Sequence, residues 1–201
     1  MKPLPSAPPA QRSTAALRWA AMALYNSPVN LFVAGFIGSP AMNFASARLV
    51  RDDGPAVVFA GHRLAVSEAL LSAKPKLEGY FGTELIIGIR PSDFEDASFA
   101  EPSWPRLDVQ SSVTEELGSE IHVIFAIDAP PVQHASITDA RAGEDDDEAI
   151  PLADNKMMWT ARVAARSGIK PGAAAALAVD TSNMQFFDPE SGLSIGHPAN
   201  A

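Results

Sequence analysis

The 201 residues read as a mainly β chain, a small barrel or sandwich of short strands entered through an N-terminal helical connector. Two observations carry that reading. From Met42 onward, apolar residues recur with period two in short runs separated by glycine, proline or acidic turn signals. Before Met42, apolar residues gather instead in one stretch with helical start and stop signals. Hydrophobic residues make up 47% of the chain, enough for one core, and the length suits one ordinary domain.

Residues 1–12 carry four prolines and no hydrophobic period, so an extended, disordered lead is expected. Ser13 or Thr14 suits the cap of a short helix running through Leu17, Met22 and Leu24, and residues 1–23 are read as a first segment ahead of the connector. Ser27 as cap and Pro28 as first residue predict a second helix over Val29–Phe36, stopped by Gly38-Ser39-Pro40. It is apolar nearly all round, and such a helix is expected to be buried.

Strands follow. Ala56–Ala60 and Arg63–Val66 flank an expected tight turn at Gly61-His62. Leu85, Ile87 and Ile89 share one strand face, with Ile86 and Gly88 on the other. Leu107, Val109 and Val113 alternate with polar residues. Ile121, Val123, Phe125 and Ile127 form the clearest alternation in the chain, which places His122 on the opposite, solvent-facing side. Trp159, Ala161 and Val163, then Leu177 and Val179, then Met184–Phe187 complete the series. The run Glu144–Glu148 sits in an acidic loop, 139–150, whose like charges repel and favour a solvated tip. It lacks the D-x-D-x-D-G spacing through which alternate carboxylates converge on calcium.

Composition and motifs exclude several classes. There is no cysteine, hence no disulfide framework and no thiolate metal site, in keeping with a reducing compartment. A net charge of −9 argues against non-specific nucleic-acid binding, which needs clustered Lys and Arg. No run of about eighteen apolar residues suggests a membrane-spanning helix. The apolar stretch from Ala15 to Leu24 is interrupted by Arg18 and lacks a signal-peptide core. His62, His122, His134 and His197 form no metal-binding pair, and no G-x-S-x-G elbow occurs. No catalytic, cofactor or metal site is expected.

Four sequence blocks carry a family resemblance. Leu24–Phe44, LYNSPVNLFVAGFIGSPAMNF, resembles the segment that joins the ATPase domain to the accessory domain in sugar-importer ATPases of the ABC transporter family. Gly88–Asp93 (GIRPSD), Val113–Glu120 (VTEELGSE) and Phe186–Gly192 (FFDPESG) resemble further strings of that accessory domain, in the family's order. The resemblance covers residues 24 to about 196. It implies a connector over 24–44 and an OB-like (TOBE/MOP-like) barrel over 45–196. The phosphate-cradling G-x-x-x-x-G-K-[ST] loop, the signature string and the Asp-Glu strand of the motor are missing from these residues.

The resemblance therefore implies a stand-alone accessory domain of a carbohydrate importer subunit that neither binds nor hydrolyses ATP. Its implied partners are a second copy, a full-length ABC ATPase or a regulatory protein, on the cytoplasmic side of a transporter complex. Phe32, Phe36 and Ile37 would form the motor-facing surface, exposed where the motor is lacking. Phe187 aligns with an aromatic at the contact between paired accessory domains, and a buried core residue is the equal alternative. Glu116 and Glu120 flank a turn in which Gly118 supplies positive φ, as contacts for a basic partner or as a solvated tip. Arg90, before Pro91, is expected to pair a carboxylate or cap carbonyls within the domain. Two other readings stand beside this one. One is an oxyanion module using Ser111, Ser112, Thr114 and Lys170; the other is a gene fragment without a function of its own.

Overall fold

Ten strands in two antiparallel five-stranded sheets enclose the main core of the computed structural model, which describes residues 22–141 and 156–200. The cap at Ser13 or Thr14, Leu17 and the acidic run Glu144–Glu148 lie outside the described residues.

The first sheet has the order β10-β4-β1-β2-β3, formed by β1 (Asn43–Val50), β2 (Ala56–Phe59), β3 (His62–Ala65), β4 (Glu84–Ile89) and β10 (Gln185–Phe187). The second has the order β5-β9-β6-β7-β8, formed by β5 (Phe94–Asp96), β6 (Arg106–Glu116), β7 (Glu120–Ile127), β8 (Met157–Ala164) and β9 (Ala174–Val179). Among the described residues, helical residues 22–26 and the short helices α1 (Leu31–Phe36), α2 (Glu68–Ala73) and α3 (Ala135–Arg141) accompany them.

The alternation in β7 works as expected on its inner face. Ile121, Val123, Phe125 and Ile127 are all buried, opposite Val163, Ala161, Trp159 and Met157 of β8 in direct register. Trp159 is the hub. Its ring meets Phe59, Phe94 and Phe125 at centroid distances of 5.3, 6.2 and 6.3 Å, and its Nε1–H donates to the Phe44 carbonyl at 3.1 Å. A buried indole is stable only with that N–H filled, so the bond fixes the first sheet against the second.

The outward edge of β8 is closed by side chains. Asn43 donates its amide to the Thr160 carbonyl at 2.8 Å and accepts the Thr160 N–H at 2.9 Å, so one amide side chain stands in for a strand partner. Glu95 accepts the Ala164 N–H at 3.0 Å further along. An edge filled in this way offers few free backbone groups to another chain.

Several expectations need correction. The helix over Val29–Phe36 starts later, at Leu31, and its cap is Asn30, whose side chain accepts the Val33 N–H at 2.9 Å; Ser27 and Pro28 precede it. The tight turn is Ala60-Gly61, both with positive φ (47° and 79°), and His62 opens β3. Such a pair matches the mirror-image turn whose twist suits a two-residue hairpin. β1 begins at Asn43, within the stretch expected to be connector. His122 is buried rather than solvent-facing. Glu120 lies 3.2 Å from its Nε2 and Glu115 3.7 Å from its Nδ1, and these two side chains cover the ring. At the β6–β7 tip Gly118 has φ 85°, and the Leu117 N–H donates to the Glu120 carbonyl at 2.9 Å, as that turn requires.

Candidate functional site

The connector and its seat on the first sheet bring together three of the four sequence blocks, Leu24–Phe44, Gly88–Asp93 and Phe186–Gly192, while Val113–Glu120 lies apart at the β6–β7 tip of the second sheet. Residues 22–26 are helical, closed by the Ser27 N–H on the Ala23 carbonyl at 2.8 Å. The chain then runs along the loop that follows β10. The Ser194 N–H donates to the Val29 carbonyl and the Leu31 N–H to the Gly192 carbonyl, each at 2.9 Å. Asn200 ties the same place from the C-terminal side, its Nδ2 donating to the carbonyls of Val29 and Ser194 at 2.9 and 3.0 Å.

That loop is itself braced. Asp188 accepts the Ser191 hydroxyl at 2.7 Å and the Ser191 N–H at 2.8 Å, and Tyr80 donates its phenol to Asp188 at 3.0 Å. The Ser191 hydroxyl, with the other donors, holds the Asp188 carboxyl below the usual range against the opposing effect of burial. Burial, then the Asp188 partner, pushes the Tyr80 phenol up.

α1 divides by face. Leu31 and Ala34 are fully buried and join Met42, Phe44, Ile86, Ile137 and Phe187 in a second apolar cluster on the outer side of the first sheet. This explains β4: Leu85, Ile87 and Ile89 face the main core, Ile86 lies under the connector, and the strand reads as a continuous apolar run because both faces are covered. On the other face of α1, Phe32 and Phe36 remain 41% and 59% exposed, one helical turn apart. Their rings stack with centroids 5.9 Å apart and planes 5° from parallel. Ile37, the C-cap, is half-buried.

Arg90 lies at the centre of the seat. It ends β4, is 5% exposed, and spends its guanidinium on main-chain carbonyls. Nη1 donates to the Ile37 carbonyl at 2.7 Å and Nε to the Tyr25 carbonyl at 2.9 Å, while Nη2 also donates to Tyr25. Both acceptors sit at helix ends, where carbonyls lack intrahelical partners and the macrodipole is negative. The guanidinium also lies over the Tyr25 ring, 3.6 Å from its centroid. Gly38 makes room: a Cβ there would lie 3.1 Å from Arg90 Nη1, and its φ of 128° is unsuited to other residues. Asp93, buried beside it, accepts the Arg90 backbone N–H at 3.3 Å, and burial raises the Asp93 carboxyl. Burial likewise lowers the Arg90 guanidinium, its largest influence. Of the two roles the sequence allowed Arg90 inside the domain, the structure has it capping carbonyls.

The remaining candidates separate. Phe187 is fully buried between β4, α1 and the Phe44 ring, with 6.0 Å between the Phe44 and Phe187 centroids, so it is a core residue and offers no surface to a partner. Glu116 and Glu120 lie at the β6–β7 tip, paired with Lys170 and Arg162 at 3.5 Å each. Exposed pairs of this kind contribute little to stability. The oxyanion set does not converge. Ser111 is buried with its hydroxyl on the Val113 carbonyl, Ser112 is exposed on the other side of the strand, and a register shift separates Ser111 from Val113. An open groove of about 560 Å³, lined by Phe99, Arg106, Lys170 and alanines of β9, includes no connector residue. Among the described residues, no group of three His, Cys, Asp or Glu is arranged to hold a metal ion. No described helix is long and apolar enough to cross a membrane.

Comparison with known proteins points the same way. Residues 38–94 match the MalK OB fold domain. The trehalose import ATP-binding protein SugC of Mycobacterium tuberculosis is 34% identical over 184 residues, covering 89% of this chain and 44% of SugC. The multiple sugar-binding transport ATP-binding protein MsmK of Streptococcus mutans is 32% identical over 174 residues, covering 86% of this chain and 38% of MsmK. The trehalose/maltose import ATP-binding protein MalK of Thermococcus litoralis is 45% identical over 100 residues, 48% of this chain and 26% of that protein. The chain thus spans less than half the length of these relatives.

Proposed function

We propose, for a chain that carries the OB-fold accessory domain of sugar-import ABC ATP-binding subunits, that it works by holding partners in place and performs no chemistry of its own. In this reading it binds no ATP, and it docks through Phe32, Phe36 and Ile37 onto the ATP-binding portion of an importer subunit. The β6–β7 tip, with Glu116 and Glu120, then serves as a contact for a regulatory protein or a second copy. The chain acts at the cytoplasmic face of the membrane, attached through the transporter complex.

The observation that supports this most is the division of α1. One face is seated on the first sheet, and the other presents a stacked pair of phenylalanines to solvent. Exposed aromatics gathered at one place on a helix are the usual anchors of a docking surface. The test uses the part of SugC that lies outside the similarity, purified, as the probe. The full chain is expected to bind it, and Phe32→Ser with Phe36→Ser to weaken binding about ten-fold or more, since buried aromatic anchors dominate interface energies. Equal binding by both proteins, or none by either, refutes the docking face. ATP at millimolar concentration is expected to leave the melting temperature of the chain unchanged, whereas a ligand of the native state raises it by mass action.

A further inference from the structure

Arg90 is a buried cation that reads backbone position. A guanidinium taken out of water is tolerated only when its donors are filled. Here each of the three guanidinium nitrogens donates to a carbonyl of Tyr25 or Ile37, which stand on either side of α1. The nearby buried carboxylate, Asp93, takes the Arg90 main-chain N–H instead. One side chain just after β4 thus holds the connector on both sides of α1, with the Tyr25 ring lying against its face. Because the acceptors are main-chain carbonyls, the contact fixes where the connector lies whatever side chains it carries.

We infer that Arg90 is a positioning residue: it sets the angle of the connector on the barrel, and its loss frees residues 23–38 while the barrel stays folded. The inference rests on the docking reading only for the purpose of that angle, which is to present Phe32 and Phe36.

Hydrogen exchange on the full chain tests it, with Arg90→Met, Arg90→Lys and Tyr25→Leu as variants. The reporters are the Ser27, Ala34 and Ile37 amides, bonded to Ala23, Asn30 and Val33, set against Val123 and Ala161 in the barrel. Arg90→Met is expected to speed the three connector amides about ten-fold or more with the barrel amides unchanged, as a local opening does. Arg90→Lys should give a smaller effect, because a compact ammonium lacks the planar fork that reaches both carbonyls and stacks on Tyr25. Tyr25→Leu keeps the carbonyl and removes only the stacked ring, so it should speed the connector amides less than Arg90→Met does, and Arg90→Lys decides the matter if Arg90→Met fails to fold. Acceleration spread evenly over connector and barrel overturns the inference, and so does no acceleration in any variant. Binding to the SugC portion separates the two readings. A loosened connector with unchanged binding keeps the positioning role and refutes the docking face, while unchanged exchange refutes the positioning role whatever the binding shows.

Discussion

Phe187→Ala tells a core residue from a contact residue. Phe187 has no exposed surface and packs against Phe44 edge-to-face, with Leu31, Met42 and Ile86 in the same cluster. Its neighbours come from the connector, β1 and β4, so the site has little means of collapsing around the missing ring. A buried Phe→Ala change costs about 3–5 kcal/mol, transfer and cavity terms together. In a domain of this size each kcal/mol moves Tm by about 2–4 °C, so a fall of roughly 6–20 °C is expected. Thermal and urea unfolding followed by circular dichroism at several protein concentrations is the assay. The drop should be the same at every concentration, with an unchanged urea slope. A variant that keeps its Tm but shifts from dimer to monomer in light scattering refutes the reasoning, because a contact residue would then lose a partner without loosening the core.

Two further outcomes follow from the geometry. Asn43→Ala leaves the Thr160 N–H and carbonyl without their side-chain partner, an unfilled edge that costs about 1–3 kcal/mol; faster hydrogen exchange at Thr160 than at Val123 checks it, and equal rates sink it. Asp188 has a depressed folded pKa, so its contribution is present above the ordinary carboxylate range and is lost as pH falls through the folded value. Asp93, raised by burial, slopes the opposite way, being most favourable in acid and lost as pH rises. The difference between wild type and Asp188→Asn isolates the first effect: the two stabilities should converge on acidification below about pH 5, and a constant gap refutes the assignment.

The fold was legible where one rule governed a segment. β7 was legible because Ile121, Val123, Phe125 and Ile127 all face the core, although His122 on the other face is covered by glutamate side chains. β1 was not singled out as a strand. Its first residues, Asn43, Phe44 and Ala45, are all buried, since the barrel takes one face and the connector the other, and alternation disappears. α2 is six residues long, capped by the Ser67 side chain on Leu70 N–H, too short to show a helical period. β6 carries a register shift between Ser111 and Val113, so a period counted across it changes face midway.

The candidate site divides along the same line. An apolar stretch at 31–37 with Phe32 and Phe36 on it was visible because hydrophobicity at helical spacing is a local property. Which side of α1 is seated is decided by contacts from β4, β10 and the loop at Gly192, 50 to 160 residues away in the chain. His122 was missed for a related reason: Glu115, its cross-strand neighbour, is fixed by register rather than by sequence distance. Arg90 shows how far local reading reaches. Pro91 after it marks a strand end, and a buried arginine at a strand end must fill its donors. Only the folded chain reveals that the acceptors are Tyr25 and Ile37, and with them that the barrel and the connector share one fastening. A variant that unfastens the connector should therefore change what the chain presents to a partner before it changes whether the barrel folds.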